Sequence, residues 1–341
     1  MFNYIKKYKN AVNVKKMLDG EFGVNADKFE IDRWPKPPYT PVLKLKGTGE
    51  VISIQRMPDG DFAVNADQFE IVRDKKAPYI PIIKAAGGGG DEVNYLCFTA
   101  NVAGSTIGMH EDFGASNPPI INLEASVDGE TWTPFVVGTD TITLANAGDK
   151  VYLRGDNPSG FSDENEFCYM FDMTGSIAAS GDIMTIISKD KSNNTIPEKG
   201  FYAMFWGNEA LTSAPDILAT KIDVGGCRMM FKEAPNLVVG GRITANELSS
   251  SSLVAMFNDC SSLTTISELP AVVADDNAYG LMFAGCSSLN YIKTLYTGNF
   301  SEANFYNWVG GVSSTGDFYY NGSDTTRGIS AIPNGWTVHT F

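Results

Sequence analysis

The segment Met256-Phe-Asn-Asp-Cys-Ser-Ser-Leu-Thr-Thr-Ile-Ser-Glu-Leu-Pro270 contains the pattern that decides the fold of the C-terminal half. Its Met-Phe pair recurs every 26 residues, and the phenylalanines are Phe205, Phe231, Phe257 and Phe283. Six residues after each of them stands a leucine, giving Leu211, Leu237, Leu263 and Leu289. A fixed period of this length, anchored by leucines, is typical of a solenoid whose stacked coils bury one continuous core. These eight residues are the predicted core of the repeat.

The quoted segment and Met282-Phe-Ala-Gly-Cys-Ser-Ser-Leu289 resemble the BspA-type leucine-rich repeat, in which Met-Phe precedes Cys-Ser, Leu-Thr and an apolar-Pro step. The likeness covers about residues 200–295, and residues 308–316 and 332–338 resemble the family's C-terminal cap. In the first two copies Asn208 and Ala234 replace the cysteine, so any shared surface chemistry is in doubt. The resemblance implies adhesion or display on a virion, and not catalysis, because such repeats resemble those of bacterial surface proteins and of structural proteins of phages that infect gut Bacteroidales.

The solenoid domain is predicted to span residues 176–341, because a repeat array needs a cap at each end. Residues near 176–200 are expected to form the first cap and residues 299–341 the second. Phe305, Trp308 and Trp336 are the aromatic residues expected to cover the C-terminal end of the array.

A second repeat lies near the N-terminus, where residues 17–31 return as residues 57–71 at an offset of 40 residues. Each copy has an Asp-Gly turn, then Phe-x-Val, Asn-Ala-Asp and Phe-x-Ile, which predicts a small β-hairpin followed by an extended proline-rich arm. The copies span about residues 14–44 and 53–84, and a unit of this size buries little core alone. We therefore expect residues 1–86 to be an anchor that docks on a partner; two small independent modules on a tether are the alternative.

Four consecutive glycines at residues 87–90 predict a linker between domains. Residues 91–175 contain short alternating apolar segments separated by turns, which predict an Ig-like β-sandwich. The expected strands are 95–99, 120–125, 141–144, 150–154 and 167–173, with an Asp-Gly hairpin turn at residues 128–129. The predicted fold class is therefore mainly β and multidomain, with tandem hairpin modules, the sandwich and a capped leucine-rich-repeat solenoid.

Composition limits the function. The net charge of −14 argues against nucleic-acid binding, since it repels phosphates. The five cysteines contain no CxxC pair, which gives no signal of a zinc site or a disulfide scaffold. No apolar run predicts membrane insertion, and the first 16 residues lack the apolar stretch of a signal peptide. Assembly in a host cytoplasm fits that absence.

Candidate chemistry is sparse, so no catalytic, cofactor or metal residue is predicted. His110 and His339 are expected to be solvated, because no nucleophile motif accompanies them. The acidic segments at residues 156–166, 19–27 and 59–67 contain oxygen donors that suit calcium, but turn chemistry explains them better. Cys260 and Cys286 are expected to be stacked, buried thiols. Candidate surface contacts are the aromatic residues Trp206, Tyr306, Trp308, Tyr319 and Tyr320, although most could equally cap the solenoid.

These observations predict a phage virion structural protein, such as a head fibre, a capsid decoration or a tail-associated fibre. It would bind capsid or tail proteins through residues 1–86 and a host-surface glycan or protein through its C-terminal half, as a homo-oligomer on the virion surface. A bacterial cell-surface adhesin is the alternative, and a carbohydrate-active enzyme is a weaker one, since no carboxylate pair stands out.

Overall fold

The computed structural model describes the strands within the first 85 residues and then residues 94–112, 119–163, 167–273 and 275–341. The chain divides into two compact units, Met1–Glu92 and Val93–Phe341. Across the described residues the fold is mainly β, with almost no helix and several small sheets, none of them closed. The prediction of a mainly β chain is confirmed. The glycines predicted as a linker, residues 87–90, lie outside the described residues.

The described residues of the first unit form nine strands, in two copies of one arrangement. They are β1 (Val12–Lys16), β2 (Phe22–Val24), β3 (Phe29–Arg33), β4 (Pro41–Leu45), β5 (Val51–Ser53), β6 (Gln55–Arg56), β7 (Phe62–Ala63), β8 (Phe69–Arg73) and β9 (Pro81–Ala85). Strands β3 and β8 occupy equivalent positions in the two copies, as do β4 and β9. The sequence repeat is therefore also a repeat of strands.

Pairing in the first unit differs from the predicted hairpin. The Phe-x-Val strand β2 pairs with β1, whereas the Phe-x-Ile strand β3 pairs with β4, which starts at Pro41 in the segment predicted as an extended arm. Proline lacks an N–H donor and is tolerated at the first residue of a strand, so it does not prevent this pairing. Each copy thus contributes two hairpins.

The two copies also pair with each other, and they do so reciprocally. Strand β4 of the first copy pairs with β5 of the second, with Leu43 opposite Ile52. Strand β9 of the second copy pairs with β1 of the first, with Ile83 opposite Val12. These two residue pairs are equivalent under the sequence repeat, so each copy gives its last strand to the first strand of the other.

The second unit contains fifteen strands and two short helices among its described residues. They are β10 (Leu96–Ala100), β11 (Ser105–Asp112), β12 (Leu123–Ser126), β13 (Thr133–Phe135), β14 (Thr141–Leu144), β15 (Lys150–Gly155), β16 (Cys168–Thr174), β17 (Ile177–Ser180), a 3₁₀ helix (Ile183–Ile186), β18 (Thr195–Ile196), β19 (Leu211–Ser213), β20 (Lys221–Ile222), β21 (Glu247–Leu248), β22 (Tyr291–Thr294), α1 (Glu302–Phe305), β23 (Asp317–Tyr320) and β24 (Thr337–His339).

Two sheets pack face to face at the start of this unit. One has the order β13-β12-β15-β10-β17-β19 and the other β14-β11-β16. The rings of Phe98 and Phe171 meet between the sheets with centroids 5.0 Å apart. All five predicted strands are present, with shifts of a few residues at their ends. Strand β11 was not predicted, because Gly108 and polar neighbours interrupt the apolar pattern of its two buried hydrophobic residues, Ile107 and Met109.

Beyond residue 194 the chain winds into coils of equal length, which we call the coil stack, residues 195–294. Parallel bridges join equivalent positions of successive coils, such as Ile196 to Ile222 and Ile222 to Leu248. Each coil places an apolar side chain over its neighbour's, so the coils cover one another's apolar side. The period of the Met-Phe pairs in the sequence is therefore the length of one coil.

Aromatic rings form a column through this stack. Phe205, Phe231, Phe257 and Phe283 lie 5.2, 5.3 and 5.8 Å apart in succession, and their planes are within 19° of each other. The column continues to Phe171 of the β16 sheet at one end, 4.8 Å from Phe205. Trp308 lies at its other end, 6.0 Å from Phe283.

The six-stranded sheet and the coil stack are joined without a break. Strand β17 pairs in parallel with β19, which belongs to the first coil. The edge strand of the six-stranded sheet, β19, is therefore also part of the coil stack. Buried residues of both regions belong to one hydrophobic cluster. The predicted division at residues 175 and 176 therefore lies inside a continuous sheet and core.

The backbone of each coil bends through residues with positive φ. Ala203, Met229, Ala255, Leu281 and Asn307 occupy the same position in successive coils, with φ between 46° and 58°. Non-glycine residues rarely adopt this left-handed conformation, because Cβ crowds the carbonyl oxygen. Coil-to-coil hydrogen bonds hold it here: the N–H of Ala203 donates to the carbonyl of Arg228 at 3.0 Å, and the pattern repeats along the stack.

The C-terminal end of the stack is covered by a three-stranded parallel sheet, β22-β23-β24, and by aromatic side chains. Phe305, Trp308 and Trp336 are at most 3% exposed, as the cap prediction requires. The indole N–H of Trp308 donates to the carbonyl of Ala331 at 2.8 Å, and that of Trp336 donates to the carbonyl of Ser313 at 2.7 Å. Each tryptophan thus closes the core while its one polar atom keeps a partner.

Candidate binding surfaces

The eight predicted repeat-core residues are packing residues. Phe205, Phe231, Phe257, Phe283, Leu211, Leu237, Leu263 and Leu289 are each 0 or 1% exposed. Side chains buried to this extent contact no ligand, so their contribution to a site is the rigidity of the surface above them.

The cysteines of the coil stack are free thiols in the core. The Sγ atoms of Cys260 and Cys286 each donate to a carbonyl of the preceding coil, that of Phe231 and that of Phe257, at 2.9 Å. Burial raises the pKa of Cys260 to about 12 and that of Cys286 well above its usual value. A thiol that does not ionise is a poor nucleophile and a poor metal ligand, so these residues act as small apolar side chains.

For two of the five aromatic residues predicted as surface contacts, the prediction is wrong. Trp308 is fully buried at the end of the aromatic column, and Tyr320 is 1% exposed, with its hydroxyl donating to the carbonyl of Gly298 at 2.6 Å. Their position at the end of the array, where the last coil has no successor, explains the burial. Tyr306 is 53% exposed, whereas Trp206 and Tyr319 are half-buried.

Trp206 is held in a charged setting beside the first coils. Its indole N–H donates to Glu233 Oε2 at 3.1 Å, and Lys232 Nζ lies 4.8 Å from the ring centroid. Lys232 also pairs with Glu233 at 2.8 Å, and the hydrogen bonds from Lys232 and Trp206 lower the pKa of Glu233. One face of the indole is therefore occupied by a cation within the chain, which leaves less of it for a ligand.

A second aromatic group lies on the outer face of the C-terminal sheet. We call Tyr291, Tyr319, His339 and Phe341 the aromatic stripe. Tyr291 and Tyr319 have ring centroids 5.3 Å apart, and Tyr319 stacks on His339 at 4.6 Å. The stripe exists because outward positions alternate with buried ones along β22 and β23, and the parallel register stacks the outward residues.

Charged residues flank the stripe. His339 Nε2 and Asp317 Oδ1 are 2.6 Å apart. Lys293 pairs with Glu268 at 2.6 Å, and its Nζ lies 4.4 Å from the ring centroid of Phe341. The stripe can therefore offer aromatic edges, hydroxyls and both signs of charge to a partner.

Of the stripe, sequence analysis singled out Tyr319 alone as a contact. His339, predicted to be solvated, is instead stacked and hydrogen-bonded, whereas His110 is exposed. Tyr291 and Phe341 were missed. Tyr291 and Asp317 are separated by one repeat period, and this was the one signal in the sequence that could have pointed to the sheet.

The acidic segments have structural partners where the structure describes them. Asp156 pairs with Lys189 at 2.9 Å, and Asp163 accepts from the N–H of Phe167 at 3.0 Å. Residues 164–166, and the side chains of residues 19–27 and 59–67, lie outside the described residues. Among the described residues no group of three or more His, Cys, Asp or Glu could hold a metal ion. No helix there has the length and apolar character of a membrane span.

Comparison of the chain with known protein families, with curated proteins and with solved structures finds no match in any of the three.

Proposed function

We propose that this chain is a display protein that carries an adhesive surface on a stiff support. Residues 93–341 would combine an Ig-like β-sandwich with a capped, BspA-type leucine-rich solenoid. The observation that carries the proposal is the aromatic column from Phe171 through Phe283 to Trp308, since its rings stack at 4.8–6.0 Å across the sandwich, the coils and the cap. A body packed as one core keeps its own outer surface rigid.

The support would belong to a virion, as a head fibre, a capsid decoration or a tail-associated fibre. Residues 1–86 would bind capsid or tail proteins, and the C-terminal half would bind the host surface. The separation of the chain into two compact units, Met1–Glu92 and Val93–Phe341, fits an anchor and a displayed body. Solenoids present extended surfaces for recognition, which fits the displayed role.

Mass spectrometry of purified particles tests the virion assignment. We expect the chain in stoichiometric amounts in particles that have passed a density gradient. Recovery only in the envelope fraction of uninfected bacteria would replace this assignment with that of a cell-surface adhesin. Deleting residues 1–86 should abolish attachment to the particle and leave a folded remainder; a truncated chain that still decorates particles would refute the anchor.

The aromatic stripe is the surface that we expect to touch the host. Tyr319→Ala should weaken binding of the purified protein to host cells, because it removes the central ring of the stack. Val239→Ala is the control, as it removes an exposed side chain of the coil stack outside the stripe. Loss of binding in the control and not in Tyr319→Ala would move the contact away from the stripe. Cleavage of any glycan in a bound panel would favour an enzyme instead.

A further inference from the structure

A cleft of about 650 Å³ opens in the sandwich, away from the aromatic stripe. One wall comes from the edge of the six-stranded sheet, including Leu123, Glu124 and Phe135, and the other from the second sheet, including Glu111 and Tyr169. Its volume lies within the range of small-molecule sites. The cleft is therefore large enough for a ligand and is formed by regular strands.

The cleft has a rigid wall. The side chain of Asn157 is buried and uses three hydrogen bonds to tie Asn122 to Ile186, at 2.7–2.9 Å. Gly155 passes so close to Asn122 that a Cβ would collide with its carbonyl oxygen, and the Cβ would also lie 2.7 Å from the Asn157 amide. Such bracing fixes the positions of the neighbouring charged residues before any ligand arrives.

Two ion pairs stand on this wall. Arg154 Nε bonds Glu124 Oε2 at 2.6 Å, and Lys189 Nζ bonds Asp156 Oδ2 at 2.9 Å. The Arg154 guanidinium also lies 4.0 Å from the ring centroid of Trp132, which holds it in place. The hydrogen bond to Asp156 raises the pKa of Lys189, so its ammonium group stays charged at neutral pH.

Part of the remaining lining is apolar. Ile121, Leu123, Pro134, Phe135, Val136, Val137 and the ring of Tyr169 contribute carbon surface to the cleft. The hydroxyl of Tyr169 already donates to the carbonyl of Pro119 at 3.1 Å, so the tyrosine presents chiefly its ring. The site thus combines a charged hydrogen-bonding edge with an apolar face.

We propose that this cleft binds a neutral sugar unit of a host-surface glycan. The carboxylate oxygens of Glu124 and Asp156 would accept from sugar hydroxyls, the ammonium of Lys189 would donate to them, and the apolar lining would pack on the C–H face of the ring. The proposal rests on the proposed adhesive function and adds to it the ligand class and the place where it binds.

Charge selects the neutral ligand. On this wall Glu124 is paired with Arg154 and Asp156 with Lys189, so an ionic ligand finds no unpaired opposite charge there. Each ion pair already satisfies one carboxylate oxygen, which lowers the gain from a bound cation. A neutral polyol uses the remaining acceptors and donors without desolvating an unpaired charge.

Saturation-transfer NMR with the full chain tests the cleft. The probes are the methyl glycosides of glucose, galactose, mannose and N-acetylglucosamine, with sialyllactose as the anion and putrescine as the cation. We expect saturation transfer to at least one neutral glycoside and none to sialyllactose or putrescine. Transfer to no neutral glycoside, or to an ionic probe in preference, would overturn the proposal.

Two variants locate the binding. Val136→Trp, at a residue that is 53% exposed, fills the cleft and should weaken binding by at least about tenfold. Asp156→Asn should weaken it as well. Val238→Trp is the matched control, since Val238 is 41% exposed on the coil stack, and it should bind as the wild type does.

The pattern of results separates this proposal from the function on which it rests. If Val238→Trp alone loses binding, the glycan site lies on the coil stack, so the cleft proposal fails and adhesion survives. If the cleft binds sugar but the chain is missing from purified particles, the virion assignment fails and the cleft survives. Unchanged sugar binding in Val136→Trp would refute the cleft proposal, whatever mass spectrometry of the particles finds.

Discussion

The two repeats of this chain pair their copies in opposite ways. Coils of the stack pair with their neighbours in parallel, and the register is the same at the two steps that join Ile196, Ile222 and Leu248. The two copies of the first unit pair reciprocally and antiparallel, each giving its last strand to the other's first. A constant step can be repeated as often as the sequence allows, whereas a reciprocal exchange is complete at two copies.

The difference bears on what each region can do. An array that adds coils by translation lengthens one surface and needs a cap at its end, which the tryptophan-rich C-terminus provides. A reciprocal pair of copies has a fixed size, which fits the anchor that we propose for residues 1–86.

The largest effect is expected from Leu263→Asp in the coil stack. Leu263 is 0% exposed, so the aspartate would place an unpaired charge in the core at a cost of several kcal/mol, about enough to unfold the stack. Thermal unfolding followed by circular dichroism measures the loss. Thr264→Asp is the control at an exposed neighbour and should unfold as the wild type does. An unchanged transition in Leu263→Asp would refute its place in the core.

Deleting one copy of the N-terminal repeat should change the oligomeric state. Removal of residues 41–80 leaves strands β1, β2, β3 and β9 in one copy, with no second copy in the same chain to complete the exchange. Two chains can restore the exchange between them, so we expect a dimer in light scattering after gel filtration. A monomer whose N-terminal strands remain protected from hydrogen exchange would show that reciprocal pairing is dispensable.

Deleting one coil should be tolerated. Removal of residues 237–262 joins Asn236 to Leu263, which occupies the position of Leu237 one period later. The stack would lose one ring of its column and keep its register, so it should fold with a stability lower by a few kcal/mol. Urea denaturation measures the difference. Removing only half a coil, residues 237–249, is the control, because it places opposite sides of a coil in contact and should prevent folding.

The smallest effect is expected at the left-handed positions. Gly207 and Gly285 occupy the same place in different coils, with φ of 66° and 80°. A Cβ on Gly207 meets nothing within 4 Å, so Gly207→Ala should cost only the backbone strain, about 1 kcal/mol. A Cβ on Gly285 collides with the carboxylate of Asp259, so Gly285→Ala should cost more. Equal midpoints of urea unfolding for the two variants would argue against that contact.

Much of the coil stack could be predicted because its contacts repeat. The Met-Phe and leucine positions carry the period, and the buried column follows once equal coils are stacked. The ends could not be predicted as well. Two expectations were open for Trp308 and Tyr320, a surface contact or a place in the cap, and both side chains are buried in the cap. The sequence did not decide between the two because the neighbours of these residues come from distant, non-repeating segments.

The cleft and the aromatic stripe depend even more on the tertiary structure. The cleft in the sandwich brings Glu111, Glu124, Asp156, Tyr169 and Lys189 together from separate strands and loops, and their sequence spacing has no period. The aromatic stripe likewise depends on the register of β22, β23 and β24. Neither arrangement could be derived from the residue types alone.

The sequence by itself determined the period of each repeat, the residues that line the coil core and the mainly β character, because these follow from local patterns of apolar residues. The tertiary structure alone decided three things: the merging of sandwich and stack through β17 and β19, the reciprocal pairing of the N-terminal copies, and the positions of the cleft and the stripe. Each of these depends on which distant strands become neighbours, and a repeat pattern read along one chain carries no information about that choice.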